Sequence, residues 1–391
     1  MTTALAGAPS VPALNDERMA WMALAMTPKL GPRRILRAIE HAGTAAKILE
    51  MRLTELEGLQ FPAESVQFIA GGQARAAADQ QMEELIKTGG SFLTYSDQAY
   101  PERLREIFEP PPLLWLRGHA QLLSEPSIAV VGTRHPTPYG SGMAEMLSRD
   151  LAHRGLIVVS GMARGIDTSA HKGAIAASRP TIAVWGTGID VIYPKENKSL
   201  AEQIVAGGGT IVSELPLGTF PAPQNFPKRN RILSGMSVGV LVVEAAEYSG
   251  TRVTARCAIE QNRDVYAVPG NVTTKNAWGP NTLIKQGAKL TATWEDLWED
   301  LPSQIRLQLE KREGLASNAT PAASLFKEEG LSPHETRLLA LLQPDEARQM
   351  DEIMEELEDE LSSSEIFTAL FELELAGRVR QLPGKNFVKC F

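Results

Sequence analysis

Only two cysteines, Cys257 and Cys390, occur in 391 residues. They lie far apart and belong to no paired-cysteine motif. That argues against a disulfide framework and against a cysteine zinc site, and it suits a reducing compartment. No run of about 18 apolar residues is present, so no membrane-spanning helix is expected. The opening MTTALAGAPSVPALN has no basic segment leading into an apolar one, so no secretory signal is read there. On these grounds the chain is expected in the cytoplasm. Also missing are a G-x-x-x-x-G-K-[ST] phosphate loop, an H-E-x-x-H zinc motif, Cys/His metal spacing and a G-x-S-x-G elbow. No catalytic group, metal or cofactor is therefore expected.

What is present is a chain of ordinary globular composition, 43% hydrophobic and 22% charged. Its length suits two or three domains. The net charge of −8 looks unfavourable for a nucleic-acid binder, but its distribution matters more than its sum. Residues 331–391 carry 13 acids against 6 bases, whereas residues 127–298 carry 17 bases against 13 acids. The acidity sits in the tail and the centre is mildly basic.

Residues 16–90 read as short helices of the SAM or helix-hairpin-helix kind, broken at Pro28 and at Gly31-Pro32. Such a turn either packs helices or offers N–H groups to a phosphate. Residues 92–298 alternate strand and helix. The strand candidates are 127–131, 156–160, 181–185, 209–213, 238–243 and 265–268, each a short Val/Ile-rich run. Such runs suit parallel strands buried on both faces, with helical crossovers between them. The expected fold is α/β, a Rossmann-like, doubly wound, mostly parallel sheet. Residues 301–330 lose the pattern to Ser, Ala, Pro and charge and read as a linker. Residues 331–391 read as three amphipathic helices and a hairpin turning at Pro383-Gly384-Lys385, a winged helix.

Ligands of doubly wound sheets bind beyond the carboxyl ends of the strands. After the first strand candidate come Gly132, Thr133 and Arg134. The dinucleotide fingerprint is absent, so NAD and FAD are disfavoured, but a glycine, a hydroxyl and an arginine suit an oxyanion. After the second come Ser160 and Gly161, then Asp167, which is a helix cap or an acid, and His171, which is structural or catalytic. After the third, Lys195 and Lys198 straddle Asn197, either as solvated lysines or as contacts. The strongest local signal is NFPKRNR, with Phe226, Lys228, Arg229, Asn230 and Arg231. Three cations in four residues repel one another unless an anion is bound, and aromatic and arginine faces can stack on bases. Ser249, Gly250, Thr251 and Arg252 open a further helix after the fifth strand candidate, another phosphate-sized site. Such a row of sites suits a polymer of phosphates better than one nucleotide. Glu214 and Glu244 sit at strand ends, as general bases or as partners of loop N–H groups.

The ordered segments VVGTRHPTPYG, SGMARGIDTSAH, GTGIDVIYPKEN, SELPLG, FPKRNRILSGMS, SGTRVTARCAIEQNRDVYAVPGNV and NTLIKQGA resemble the DNA-processing protein A family, also called Smf. The resemblance covers roughly residues 92–290. It implies a homodimer that binds single-stranded DNA, protects it, and loads the RecA recombinase in natural transformation. It points to Arg134, Lys195 and Lys228 through Arg231 as strand contacts. Two positions depart from the family pattern: Thr133 stands where Ser is commoner, and Arg252 where a smaller or apolar residue is commoner. A DNA-reading third helix in a winged helix should be basic. Here it holds Glu365, Glu372 and Glu374 and no Lys or Arg, so this domain is expected to serve protein contacts or regulation more than base readout. Two rival readings are a nucleotide-processing enzyme of the phosphoribohydrolase kind and a protein-interaction adaptor.

Overall fold

The computed structural model describes residues 15–247, 249–317, 332–344, 346–357, 360–376 and 378–389. Six helices come first: α1 (Asp16–Met26), α2 (Pro32–Ala42), α3 (Ala45–Glu50), α4 (Leu53–Gly58), α5 (Ala63–Ala70) and α6 (Gln73–Lys87). Local chemistry sets their ends. Asn15 caps α1 through the Arg18 N–H, Pro32 opens α2 where no N–H is needed, and Thr44 caps α3.

These helices share a core with the sheet that follows. Trp21, Leu24, Ile48 and Leu85 cluster with Trp115, Ile211 and Ile204. A buried ion pair adds to the join: Arg18 Nη1 lies 2.5 Å from Asp97 Oδ2, and Arg18 Nη2 donates to the Phe92 carbonyl at 2.6 Å.

The sheet has nine strands: β1 (Ser91–Thr94), β2 (Leu113–Gly118), β3 (Ser127–Val131), β4 (Ile157–Ser160), β5 (Thr181–Val184), β6 (Thr210–Ser213), β7 (Gly239–Val242), β8 (Asp264–Ala267) and β9 (Lys289–Leu290). Their order is β1-β2-β6-β5-β4-β3-β7-β8-β9. From β6 to β9 every pairing is parallel, while β2 runs antiparallel to both β1 and β6. The six strand candidates are all present, within about two residues at their ends. Alternation divides the side chains between two layers. Ile128 and Val130 of β3 face one layer, Ala129 and Val131 the other.

The flanking helices are α7 (Glu102–Arg105), α8 (Pro138–His153), α9 (Ile166–Ala176), α10 (Lys198–Ala206), α11 (Asn225–Met236), α12 (Thr251–Glu260), α13 (Trp278–Lys285), α14 (Trp294–Trp298) and α15 (Ser303–Ser317). The last of these corrects the linker expected at 301–330. Its sequence is rich in Gln, Leu, Glu, Lys and Arg, all good helix formers, and it puts Leu309 into the core beside Leu151 and Leu156. The rest of that stretch, from 318 on, lies outside the described residues.

The third unit has its own core of Leu338, Ile353, Leu357, Ile366, Leu370 and Phe387. It comprises α16 (Pro333–Leu341), β10 (Arg348–Gln349), α17 (Met350–Leu357), α18 (Ser363–Leu375), β11 (Val379–Leu382) and β12 (Asn386–Lys389). Ser332 with Glu335 and Ser362 with Glu365 form capping boxes at two helix starts. Gly384 and Lys385 turn the wing with positive φ. This is a winged helix, with β10 completing a three-stranded sheet.

Candidate nucleic-acid interface

The chain leaves β3 toward β4, β5 and β6 on one side, then crosses over to β7 on the other. Loops after β3 and β7 therefore diverge and open a crevice at the carboxyl edge. A cleft of about 1030 Å³ lies there. Gly132, Thr133 and Arg134 line it from the β3 loop, and Ser249, Gly250 and Thr251 from the start of α12. Phe226, Arg229 and Asn230 line it from α11.

The β3 loop is held on both sides. The Thr133 N–H donates to the Glu244 carbonyl at 2.6 Å, and the Thr133 carbonyl accepts from the Ile166 N–H at 3.1 Å. Glu244 accepts from the Thr137 N–H at 2.9 Å, the Thr137 hydroxyl at 2.5 Å and Asn276 Nδ2 at 3.3 Å. Of its two readings, Glu244 takes the loop-bonding one. Arg134 is exposed, with its guanidinium 5.7 Å from the Phe226 ring centroid. Tyr193 adds a second ring, 5.5 Å from Phe226 and 39% exposed. Gly186, just beyond β5, makes this possible: a Cβ there would sit 2.8 Å from Phe226 Cδ1.

The cations of NFPKRNR do not share one environment, which corrects the view that they repel one another until an anion binds. Lys228 is exposed and makes no ion pair among the described residues. Arg229 is 6% exposed; its Nη1 donates to the Gly161 carbonyl at 2.7 Å and to the Val184 carbonyl. Gly161 is required by this approach, since a Cβ there would meet Arg229 Nη1 at 2.2 Å. Burial pulls Arg229 down to about 10, against the opposing pull of the Asp167 carboxylate. Arg231 is paired with Glu214 at 2.5 Å, both partners largely covered. Two of the three charges thus have protein partners.

Other expected contacts also turn inward. Asn197 is buried, its Nδ2 donating to the Met162 carbonyl at 2.9 Å and the Thr168 hydroxyl at 3.0 Å. Asp167 is no cap of its own helix. It accepts from the Gly161 and Ala163 N–H groups at 3.1 and 3.2 Å, and burial raises its carboxyl. His171 is buried, bonded through Nδ1 to the Thr181 hydroxyl at 2.9 Å, and held by burial at about 3. The Ser249 hydroxyl donates to the Thr251 hydroxyl at 2.9 Å. Lys195 is exposed but lies outside the lining of the cleft, as do Lys228, Arg231 and Arg252.

Among the lining residues that the sequence reading missed, three carry a ring or a charge suited to a strand. Tyr193, Lys275 and Trp278 also border the cleft. Lys275 and Trp278 follow β8 and Tyr193 follows β5, so a search of every post-strand loop for aromatics as well as cations would have found them. Among the described residues no three His, Cys, Asp or Glu side chains are grouped to hold a metal ion. No described helix is long and apolar enough to cross a membrane.

Comparison with known proteins gives the chain its relatives. Residues 91–302 match the family model described as DNA recombination-mediator protein A, and residues 320–385 match the DprA winged helix domain. Protein Smf of Synechocystis sp. is 34% identical over 95% of this chain and 99% of its own length. The DNA processing protein DprA of Bacillus subtilis is 42% identical over 55% of this chain and 73% of its own. The X-ray structure of DNA processing protein A from Streptococcus pneumoniae superposes with a TM-score of 0.65 at 31% identity, covering 74% of this chain and 99% of that one. With a family model spanning more than half its length and a relative aligned almost end to end, this chain belongs to the DprA/Smf family of DNA-processing proteins.

Proposed function

We propose that this chain binds single-stranded DNA along the carboxyl edge of its central sheet and performs no chemistry on it. The observation that carries this reading is the exposed Arg134 guanidinium beside the Phe226 ring at the mouth of the switch-point cleft. A cation beside an aromatic face suits a polymer with phosphates and unpaired bases, and suits a duplex poorly, since its bases are already stacked. Arg134, Lys195 and Lys228 meet phosphates. Phe226 and Tyr193 stack on bases. Gly132, Thr133, Asn230 and the Ser249–Thr251 turn shape the track, while Gly161, Asn197, Arg229 and Arg231 hold it in place.

The non-enzymatic reading rests on how the nearby acids are used. Glu244 is spent on loop bonds, Glu214 on Arg231 and Asp167 on two N–H groups. Family membership supports the finer proposals: a cytoplasmic homodimer that protects incoming strands and loads RecA during natural transformation.

One titration tests the core of this. The full chain is titrated with a single strand and its duplex over a range of salt. The single strand is expected to bind tighter. With these three phosphates neutralised by Arg134, Lys195 and Lys228, log K falls against log salt with a slope of about −2.1. Equal affinity for the duplex, or no salt dependence, would overturn the reading.

A further inference from the structure

Of the six tryptophans, only Trp278 is exposed, at 38%. Its position is fixed by backbone contacts more than by burial. The Ala245 N–H donates to the Asn276 carbonyl and the Gly279 N–H to the Ala245 carbonyl, both at 2.8 Å. A Cβ at Gly279 would lie 2.5 Å from that same Ala245 oxygen, so the A-W-G sequence clamps the start of α13 against the β7 loop. The indole is left on the wall of the cleft, with exposed Lys275 beside it in the lining. Arg252 stands over the indole with its guanidinium 5.2 Å from the ring centroid, and its Nη1 donates to the Glu247 carbonyl at 2.8 Å.

The cleft therefore has aromatic rings in its wall on both sides, each side with an arginine over a ring: Arg134 is itself part of the lining, and Arg252 stands outside it, against the Trp278 indole. Arg134 with Phe226 and Tyr193 is reached from β3, β5 and α11. Arg252 with Trp278 is reached from β7 and β8. The strands β5 and β8 stand four positions apart in the sheet, on the order of 19 Å at ~4.8 Å per strand. That exceeds by several-fold the ~3.4 Å occupied by one nucleotide of a stacked strand.

We propose that Arg252 and Trp278 form a second base-stacking platform, so that one strand crosses the switch point with bases on both stacks and a phosphate on Lys275. This rests on the single-strand reading above and adds to it a second half of the track. Arg252 covers the indole and presents a guanidinium plane on which a base can stack.

The test is a titration of the full chain with a long oligothymidylate, following tryptophan fluorescence and, separately, anisotropy of a labelled strand. Wild type, Trp278→Ala, Trp278→Phe and Arg252→Leu are compared after their melting curves are shown to coincide. Trp278→Ala is expected to weaken binding about tenfold, within the range of one base–aromatic stack, and Arg252→Leu several-fold. Trp278→Phe keeps most of the affinity but loses the quenching that the strand causes in wild type. Unchanged affinity in Trp278→Ala, together with full quenching in Trp278→Phe, would overturn the second platform and leave the single-strand reading standing. Absence of binding by wild type would overturn both.

Discussion

Helices α11 and α18 are the two places where a reader of the sequence looks for DNA contacts, and they are opposites. α11 has three cations in four positions, whereas α18 has three glutamates and no cation. The structure narrows the contrast in one respect and widens it in another. On α11 only Lys228 offers its charge to solvent, because Arg229 and Arg231 are bound to the protein. On α18 the acids stay exposed, and Phe367 and Phe371 join them at 49% and 62% exposure. The number of charges on a helix therefore does not give the number available to a ligand. Burial and pairing decide that.

The largest expected effect tests this division inside α11. Arg229→Met strips donors from two buried carbonyls and leaves Asp167 buried without its neighbouring cation. It should cost about 3 kcal/mol of folding stability or more. Lys228→Glu, one residue away, should change stability by less than about 0.5 kcal/mol, as exposed substitutions usually do. Urea unfolding of the two variants measures both. Equal stabilities would erase the distinction between positioning and contacting cations.

His171, whose ring is opposed by the charge of Arg229 as well as by burial, gives the same interior an acid signature. Burial, the larger cause, holds it at about 3, whereas the unfolded side chain titrates near 6.5. Between those two pH values the unfolded chain carries a proton that the folded chain refuses. Stability therefore falls as pH drops through this window, by about 1.4 kcal/mol per pH unit from this one group. Asp167, raised by burial, acts in the opposite sense, so the slope is read as wild type minus His171→Gln. A difference that stays flat from neutral pH to pH 4 would show the imidazole to be solvated.

How much was legible follows the same line. The strands were legible because each is a continuous Val/Ile run bounded by glycine or polar residues, the mark of a strand covered on both faces. The short antiparallel β2 and the helix α15 were not, since LLWLRG follows three prolines and α15 looks like a charged linker until Leu309 meets the core. At the site, Arg134 and Phe226 were legible from their post-strand positions. Nothing local in NFPKRNR says which arginine turns inward. That depends on Gly161 and on Glu214, 68 and 17 residues away along the chain.

A mid-sized effect concerns the strand itself. Charge reversal at Arg134 or at Lys228 should weaken single-strand binding about tenfold or more for every sequence alike. Each lost phosphate contact should flatten the salt slope by about 0.7. Melting curves should stay in place. A variant that binds normally would remove its residue from the interface, and in the case of Lys228 would leave α11 without an exposed cation in contact with DNA.

The smallest expected effect lies on α18, and it is informative because it is small. Replacing Phe367 and Phe371 by Ser leaves the helix its capping box and its buried Ile366, Leu370 and Leu373. The winged helix should therefore stay folded. With Glu365, Glu372 and Glu374 beside them, these rings sit in a negative field that repels phosphates, so single-strand affinity of the full chain should move by less than about twofold. Anisotropy at physiological salt gives the number. A tenfold loss would mean that the acidic helix touches DNA after all, through its rings, and that the contrast with α11 is one of chemistry and not of role. An unchanged affinity leaves two exposed phenylalanines on an acidic helix without a part in strand binding, as expected of a surface that serves protein contacts or regulation.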